Sequence, residues 1–200
     1  MAQKPTFAQL VSLACHDLRT PLATASGFAH TLQRLDTIAA PGDRYAEMIG
    51  AASEQMAQLL DLLGAAARIE VGRFEYQARE ADSRELADGA VARLRDGEAV
   101  VEGDGATVNL DPAWAQVGLA ALAECVRRHG ALPRVRLGVD GSEVSFSPLA
   151  DGVAAIALGD DLKDFGAAVA TRVLLAMGAD IEPDADRLAV RLPRASAASA

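Results

Sequence analysis

Val11-Ser12-Leu13-Ala14-Cys15-His16-Asp17-Leu18-Arg19-Thr20-Pro21-Leu22 is the stretch whose reading decides the fold. Followed onward, apolar or small residues fall at Val11, Ala14, Leu18, Pro21, Ala25, Phe28, Leu32 and Leu35. That unbroken alternation of three and four is the a/d seam of a helix in a bundle. With Val11 at position a, His16 falls at position f, which points away from the seam into solvent. A neutral imidazole is a competent nucleophile when one ring nitrogen is free and the other is held as the N–H tautomer. Asp17 is adjacent and can orient the ring or take its proton. Pro21 has no N–H to donate, which predicts a bend in the helix just past His16. His30 and His129 have no neighbours that form a motif, and both read as structural or solvated.

Downstream, Asp36 to Asp43 supplies a break punctuated by Pro41-Gly42. A second seam follows at Tyr45, Ile49, Ala52, Met56, Leu59, Leu63 and Ala66. The two segments predict an antiparallel helical hairpin over residues 1–70. A lone hairpin leaves one side of each seam exposed, so pairing with a second copy into a four-helix bundle is expected.

The 200 residues suffice for one large domain or two small ones. Half the residues are apolar but only 4% are aromatic, so the cores should be helix-rich and shallow. A net charge of -9 argues against nucleic acid, which is bound through cations, and against an anionic membrane surface. No apolar run approaches the roughly 20 residues of a membrane span, and the N-terminus lacks the apolar stretch of a signal peptide. The chain therefore reads as cytoplasmic. Cys15 and Cys125 form no CxxC, so neither a disulfide framework nor a zinc site is indicated, and both read as small buried hydrophobes.

The second segment, residues 71–194, mixes periods. Phe74 to Glu80 reads as a strand, and Asp82-Ser83-Arg84-Glu85 as a capping box opening a helix to about Leu94. Val100 to Leu110 reads as a hairpin turning at Gly103-Asp104-Gly105. Asp111-Pro112 suits the cap and first residue of a helix ending near His129. A second hairpin joins Val135–Val139 to Val144–Phe146 about Asp140-Gly141. A helix from Phe165 to Met177 stops at Gly178, and Arg187 to Leu192 closes the domain as a strand. The order is α+β, with three helices on one face of a mixed sheet. Residues 195–200 are small and polar and read as a disordered tail.

His16-Asp17-Leu18-Arg19-Thr20-Pro21-Leu22 resembles the H box of two-component sensor histidine kinases, in their dimerisation and phosphoacceptor domain. The resemblance implies that His16 accepts a phosphoryl group with Asp17 as acid/base partner. It also implies that Asp17 and Thr20 form the acidic-x-x-Thr pair that positions water for dephosphorylating a receiver. Arg68 to Arg73 resembles the linker that follows such a hairpin, and Asp111 to His129 the first core helix of the family's ATP-binding domain. Phe165 to Ala170 resembles the end of its last glycine box. The implied fold is an α + α/β sandwich: a hairpin dimerising into a four-helix bundle, then an α+β domain like the histidine-kinase ATPase.

The departures fall on the nucleotide boxes. Glu124 stands where the family holds magnesium with Asn. Ser147-Pro148-Leu149-Ala150-Asp151-Gly152 stands where an adenine-reading Asp-x-Gly-x-Gly belongs. Lys163-Asp164 precede a single Gly166 where clustered glycines would cradle phosphates. The stretch from Pro148 to Asp161 is short for a nucleotide lid. The expectation is a histidine phosphotransferase on a degenerate kinase scaffold, with no cofactor of its own and Mg²⁺ supplied by the receiver partner. Its partners would be a second copy, receiver domains and a hybrid histidine kinase. The alternatives are an active sensor kinase, with Asp151-Gly152 as a displaced adenine motif, and a non-catalytic pseudokinase adaptor that binds response regulators.

Overall fold

The computed structural model describes residues 7–34, 40–94 and 97–195. The chain divides into two compact units that meet between Arg73 and Phe74.

The first unit is a hairpin of α1 (Phe7–Arg34) and α2 (Ala40–Glu70). Pro41 and Gly42 lie inside the first turn of α2 rather than in the connection, because a proline's missing N–H has no intrahelical partner to lose there. The helices run antiparallel: Arg19 pairs with Asp61, and further along α1 His30 Nε2 lies 4.0 Å from Glu54 Oε1. Small residues make the close packing, with Ala8, Cys15 and Ala29 of α1 and Ala46, Ser53 and Ala65 of α2 buried. The expected seam is therefore not what joins α1 to α2. Leu18, Phe28 and Leu32 of α1 are exposed, as are Tyr45, Ile49, Met56 and Leu59 of α2. Leu62 of α2 joins the small residues in the buried contact, while the large seam residues are left on the exposed side of the hairpin.

The second unit is a two-layer α+β domain. Its five-stranded sheet has the order β2 (Ala99–Gly105), β4 (Val135–Gly141), β5 (Glu143–Ser147), β7 (Arg187–Arg191), β6 (Asp180–Asp184). Only the β2–β4 pair is parallel. Alternation along β4, with Val135, Leu137 and Val139 buried and Arg136 and Asp140 exposed, gives the sheet one apolar face. Helices α3 (Ser83–Val91), α4 (Pro112–His129) and α6 (Phe165–Ala176) form the other layer. Leu86, Leu119, Leu122, Phe146, Leu174 and Leu188 are fully buried in the core. Gly118 lets α6 approach α4 closely, since a Cβ there would lie 2.9 Å from Leu174 Cγ.

Several expectations need correction. Val100 to Leu110 is not a hairpin: β2 pairs with β4, while β3 (Thr107–Leu110) pairs with β1 (Arg79–Asp82) in a separate two-stranded sheet. The glycines serve close approach instead of reversal. A Cβ on Gly103 (φ +95°) would meet the Val139 carbonyl oxygen at 2.0 Å, and one on Gly105 would meet Arg84 N at 2.6 Å. The first strand starts at Arg79 rather than Phe74, because pairing with β3 begins only there. Phe74 instead sets its ring against Trp114, with centroids 5.6 Å apart. Helix α3 ends at Val91, short of Leu94. A fourth helix, α5 (Val153–Leu158), and the edge strand β6 are additions to the expected elements. Residues 196–200, read as a disordered tail, lie outside the described residues.

Candidate functional site

Cys15 is buried in the hairpin, and the next residue on the helix, His16, turns outward and is exposed. One turn further on, Arg19 hydrogen-bonds Asp61 of α2, fixing that part of α1 against its partner helix. Thr20 is exposed, and its carbonyl accepts the Thr24 hydroxyl at 3.0 Å. The helix runs without interruption through Pro21. Asp17 lies in α1 beside His16, and its side chain is outside the described residues. Ala23, Thr24 and Gly27, on the next turns, are exposed. His30 is exposed beside Glu54. The result is an imidazole presented to solvent on a helix anchored on either side of it.

In the second unit, Glu124, the stretch read as a lid and Asp164 are engaged internally, whereas Asp151 and Gly152 are exposed. Both Glu124 oxygens accept from Arg127, Nε at 2.9 Å and Nη2 at 2.8 Å, and Arg127 also lies 3.5 Å from Glu98. The stretch read as a short lid folds into α5, with Val153, Ile156 and Ala157 buried. Thr171 of α6 donates to the Ala157 carbonyl at 2.8 Å, and a Cβ on Gly159 would touch Ala168 Cβ at 3.2 Å. These contacts hold α5 down on α6.

Asp164 caps α6, Oδ1 accepting the Ala167 N–H at 3.1 Å, while Oδ2 accepts from Arg128. Burial pushes the Asp164 carboxyl up, but the Ala167 hydrogen bond and the Arg128 guanidinium outweigh it and hold it below its ordinary value. A helix N-terminus is the natural seat of a phosphate, and here an ionised side chain of the chain itself occupies it. Two concavities lie in this unit, one of them against Ser147 and Pro148 of the stretch at the adenine-box position. One of about 450 Å³ is lined by Val100, Arg134, Arg136, Ser147, Pro148 and Asp186; another of about 360 Å³ by Arg79, Glu85 and Gln116 among others.

Sequence reading passed over one grouping. Cys125 and His129, one turn apart on α4, converge with Asp164. The Cys-x-x-x-His spacing was its only trace in the sequence, and Asp164 lies 35 positions beyond His129.

The chain thus carries an exposed histidine on an antiparallel hairpin, followed by a mixed sheet covered by helices. Residues 8–72 match the His Kinase A (phospho-acceptor) domain. Histidine protein kinase DivJ of Caulobacter vibrioides is 32% identical over 157 residues, 77% of this chain and 25% of that protein. The full-length ShkA structure in complex with AMPPNP superposes with a TM-score of 0.63 at 19% identity, covering 97% of this chain and 47% of that one. Histidine kinase AdeS of Acinetobacter baumannii gives a TM-score of 0.53 at 14% identity, covering 89% and 97%. The chain belongs to the two-component histidine kinase family, with the hairpin and the ATPase-type domain of that family. It spans a quarter of the length of the curated relative it matches. Among the described residues, no helix is long and apolar enough to cross a membrane.

Proposed function

We propose that this chain is a histidine phosphotransferase that carries a phosphoryl group between receiver-domain aspartates on His16, without binding ATP. The observation that carries the reading is Asp164, whose carboxylate takes the helix N-terminus where a nucleotide phosphate would be held. The Glu124–Arg127 pair and the packed α5 support the same reading.

In the forward step a ring nitrogen of His16 attacks the phosphorus of a receiver's aspartyl phosphate. The P–N bond forms as the P–O bond to the aspartate breaks, and the carboxylate leaves. Mg²⁺ held by the receiver neutralises the transferring oxygens. The chain's share is positioning: an exposed imidazole on an anchored helix, with Asp17 to orient the ring or hold its proton. Transfer to a second receiver reverses these bonds. Thr20, exposed one turn on, would in this reading help position water in dephosphorylation.

The apolar face of Leu18, Phe28, Ile49 and Met56 supports assembly of two copies into a four-helix bundle. The exposed small residues Ala23, Thr24 and Gly27 leave room for a receiver to dock below His16. The reading carries with it a cytoplasmic location. The rival, an ATP-dependent kinase, draws on the similarity to histidine protein kinase DivJ of Caulobacter vibrioides.

The test offers the protein radiolabelled Mg·ATP and, separately, a radiolabelled phospho-receiver. Acid-labile label acquired only from the receiver, and lost in His16→Ala, is the expected result. Label acquired from ATP at His16 overturns the reading in favour of a kinase.

A further inference from the structure

The junction between the last turn of α4 and the first turn of α6 gathers three side chains that the proposed phosphotransfer does not use. Cys125 and His129 are four residues apart, so they share one helix face. Asp164, the cap of α6, meets that face, and the three ligand atoms lie within 4.8 Å of one another. Cys125 is fully buried and Asp164 nearly so. His129 Nε2 is buried and makes no hydrogen bond, although it lies 3.3 Å from Asp164 Oδ2. A buried nitrogen without a partner is uncommon and calls for a physical reason.

We infer that Cys125, His129 and Asp164 bind a single Zn²⁺ ion that pins α4 to α6. The donor set selects the metal. A thiolate sulfur and an imidazole nitrogen suit zinc, whereas Mg²⁺ and Ca²⁺ require oxygen ligands. Charge also balances, since thiolate and carboxylate together neutralise the divalent ion. Three protein ligands leave the fourth tetrahedral position to water.

The carboxylate can divide its work. Oδ1 stays with the Ala167 N–H, and Oδ2 turns to the metal, displacing Arg128, whose side chain is half exposed and can move into solvent. Burial, followed by the neighbouring Asp164 charge, pushes the metal-free Cys125 thiol up to about 12. Binding therefore forms a Zn–S bond as the thiol proton leaves to solvent. His129 Nε2, which makes no hydrogen bond, gains a direct bond to the ion.

The competing explanation is a metal-free cap in which Asp164 accepts the Cys125 thiol and pairs with His129 without an ion. Tag-free, reduced, chelator-washed full-length chain is titrated with Zn²⁺ and with Co²⁺ as a spectroscopic stand-in. The expected result is one bound ion per chain, an intense thiolate-to-cobalt absorption, and a melting temperature that rises with Zn²⁺. All three should be lost in His129→Gln, a change at the part-exposed helix end that leaves the core intact, and in Cys125→Ser. They should persist in Cys15→Ser and His16→Ala. Absence of the thiolate band in the wild-type chain, or metal uptake that survives both His129→Gln and Cys125→Ser, overturns the assignment.

Discussion

Glu124 holds Arg127 with both carboxylate oxygens, at 2.9 and 2.8 Å, on the helix where the family's magnesium-binding amide would stand. A two-point fork of this kind fixes direction as well as distance. Glu124→Asn removes the fork and recreates the family's side chain. It should nevertheless not create a nucleotide site, because Asp164 still caps α6 and α5 still packs on it. Titration of the variant with a fluorescent ATP analogue and Mg²⁺ should show no saturable signal, as for the wild type. The pair is part-exposed, so its loss should lower stability by only about 0.5–1 kcal/mol. Saturable binding in the variant would mean that one side chain had been the whole obstacle.

Gly103 sits in β2 with φ +95° and its Cα hydrogen toward the Val139 carbonyl. Gly103→Ala combines a left-handed backbone with a clash at 2.0 Å against main chain that cannot yield cheaply. We expect a loss of about 3 kcal/mol or more, read as a large fall in melting temperature. Gly141→Ala, at a turn with φ +57° and open space around it, should cost about 1–2 kcal/mol. Equal losses in the two variants would show that the approach of β2 to β4 is not what demands glycine.

That pair of glycines also marks how far the sequence could be read. Gly141 opens the turn between β4 and β5, where alternating apolar residues on both sides announce a hairpin. Gly103-Asp104-Gly105 has the same composition, yet it lies within a strand whose partner is 36 positions away. Local composition records that glycine is needed and not whether a turn or a neighbour needs it. The helix caps Asp82, Asp111 and Asp164 act through residues two or three positions on; the first two were legible. Asp164 was read only as a departure from the glycine box, because its further partners, Arg128 and His129, arrive from α4. Strand β6 was hidden because Asp180–Asp184 carries one apolar residue, Ile181, and a proline, which an edge strand tolerates. His16 was placed by heptad counting, and it is exposed. The same counting predicted a bundle seam without saying which helix it would meet.

The seam supplies a further prediction. Phe28 is 68% exposed and Ile49 49% exposed in the single chain. Two copies burying these faces would remove a continuous apolar surface from water, at about 25 cal/mol per Å². A charge there has no place in a bundle core, so Ile49→Lys should halve the mass measured by light scattering on a sizing column. Helical content should be retained, because α1 and α2 are joined through Ala29, Ala46 and Ser53 rather than through Ile49. An unchanged mass would move the dimer interface off this face.

The cap of α6 gives a pH dependence of defined sign. Asp164 has a folded pKa below its ordinary value, set against burial by the Ala167 N–H and by Arg128. A carboxyl with a depressed folded pKa stabilises fully above its unfolded pKa of about 3.9, and that stabilisation is lost as pH falls through the folded value. In chelator-washed protein at neutral pH, Asp164→Asn keeps a capping oxygen but loses the charge facing Arg128. It should be less stable than wild type by about 1–2 kcal/mol. The gap should hold down to about pH 4 and then close as the wild-type carboxylate is protonated. Urea melts of both proteins across that range measure it. A gap that widens on acidification would mean that Asp164 is held protonated in the native state, contrary to its pairing with Arg128.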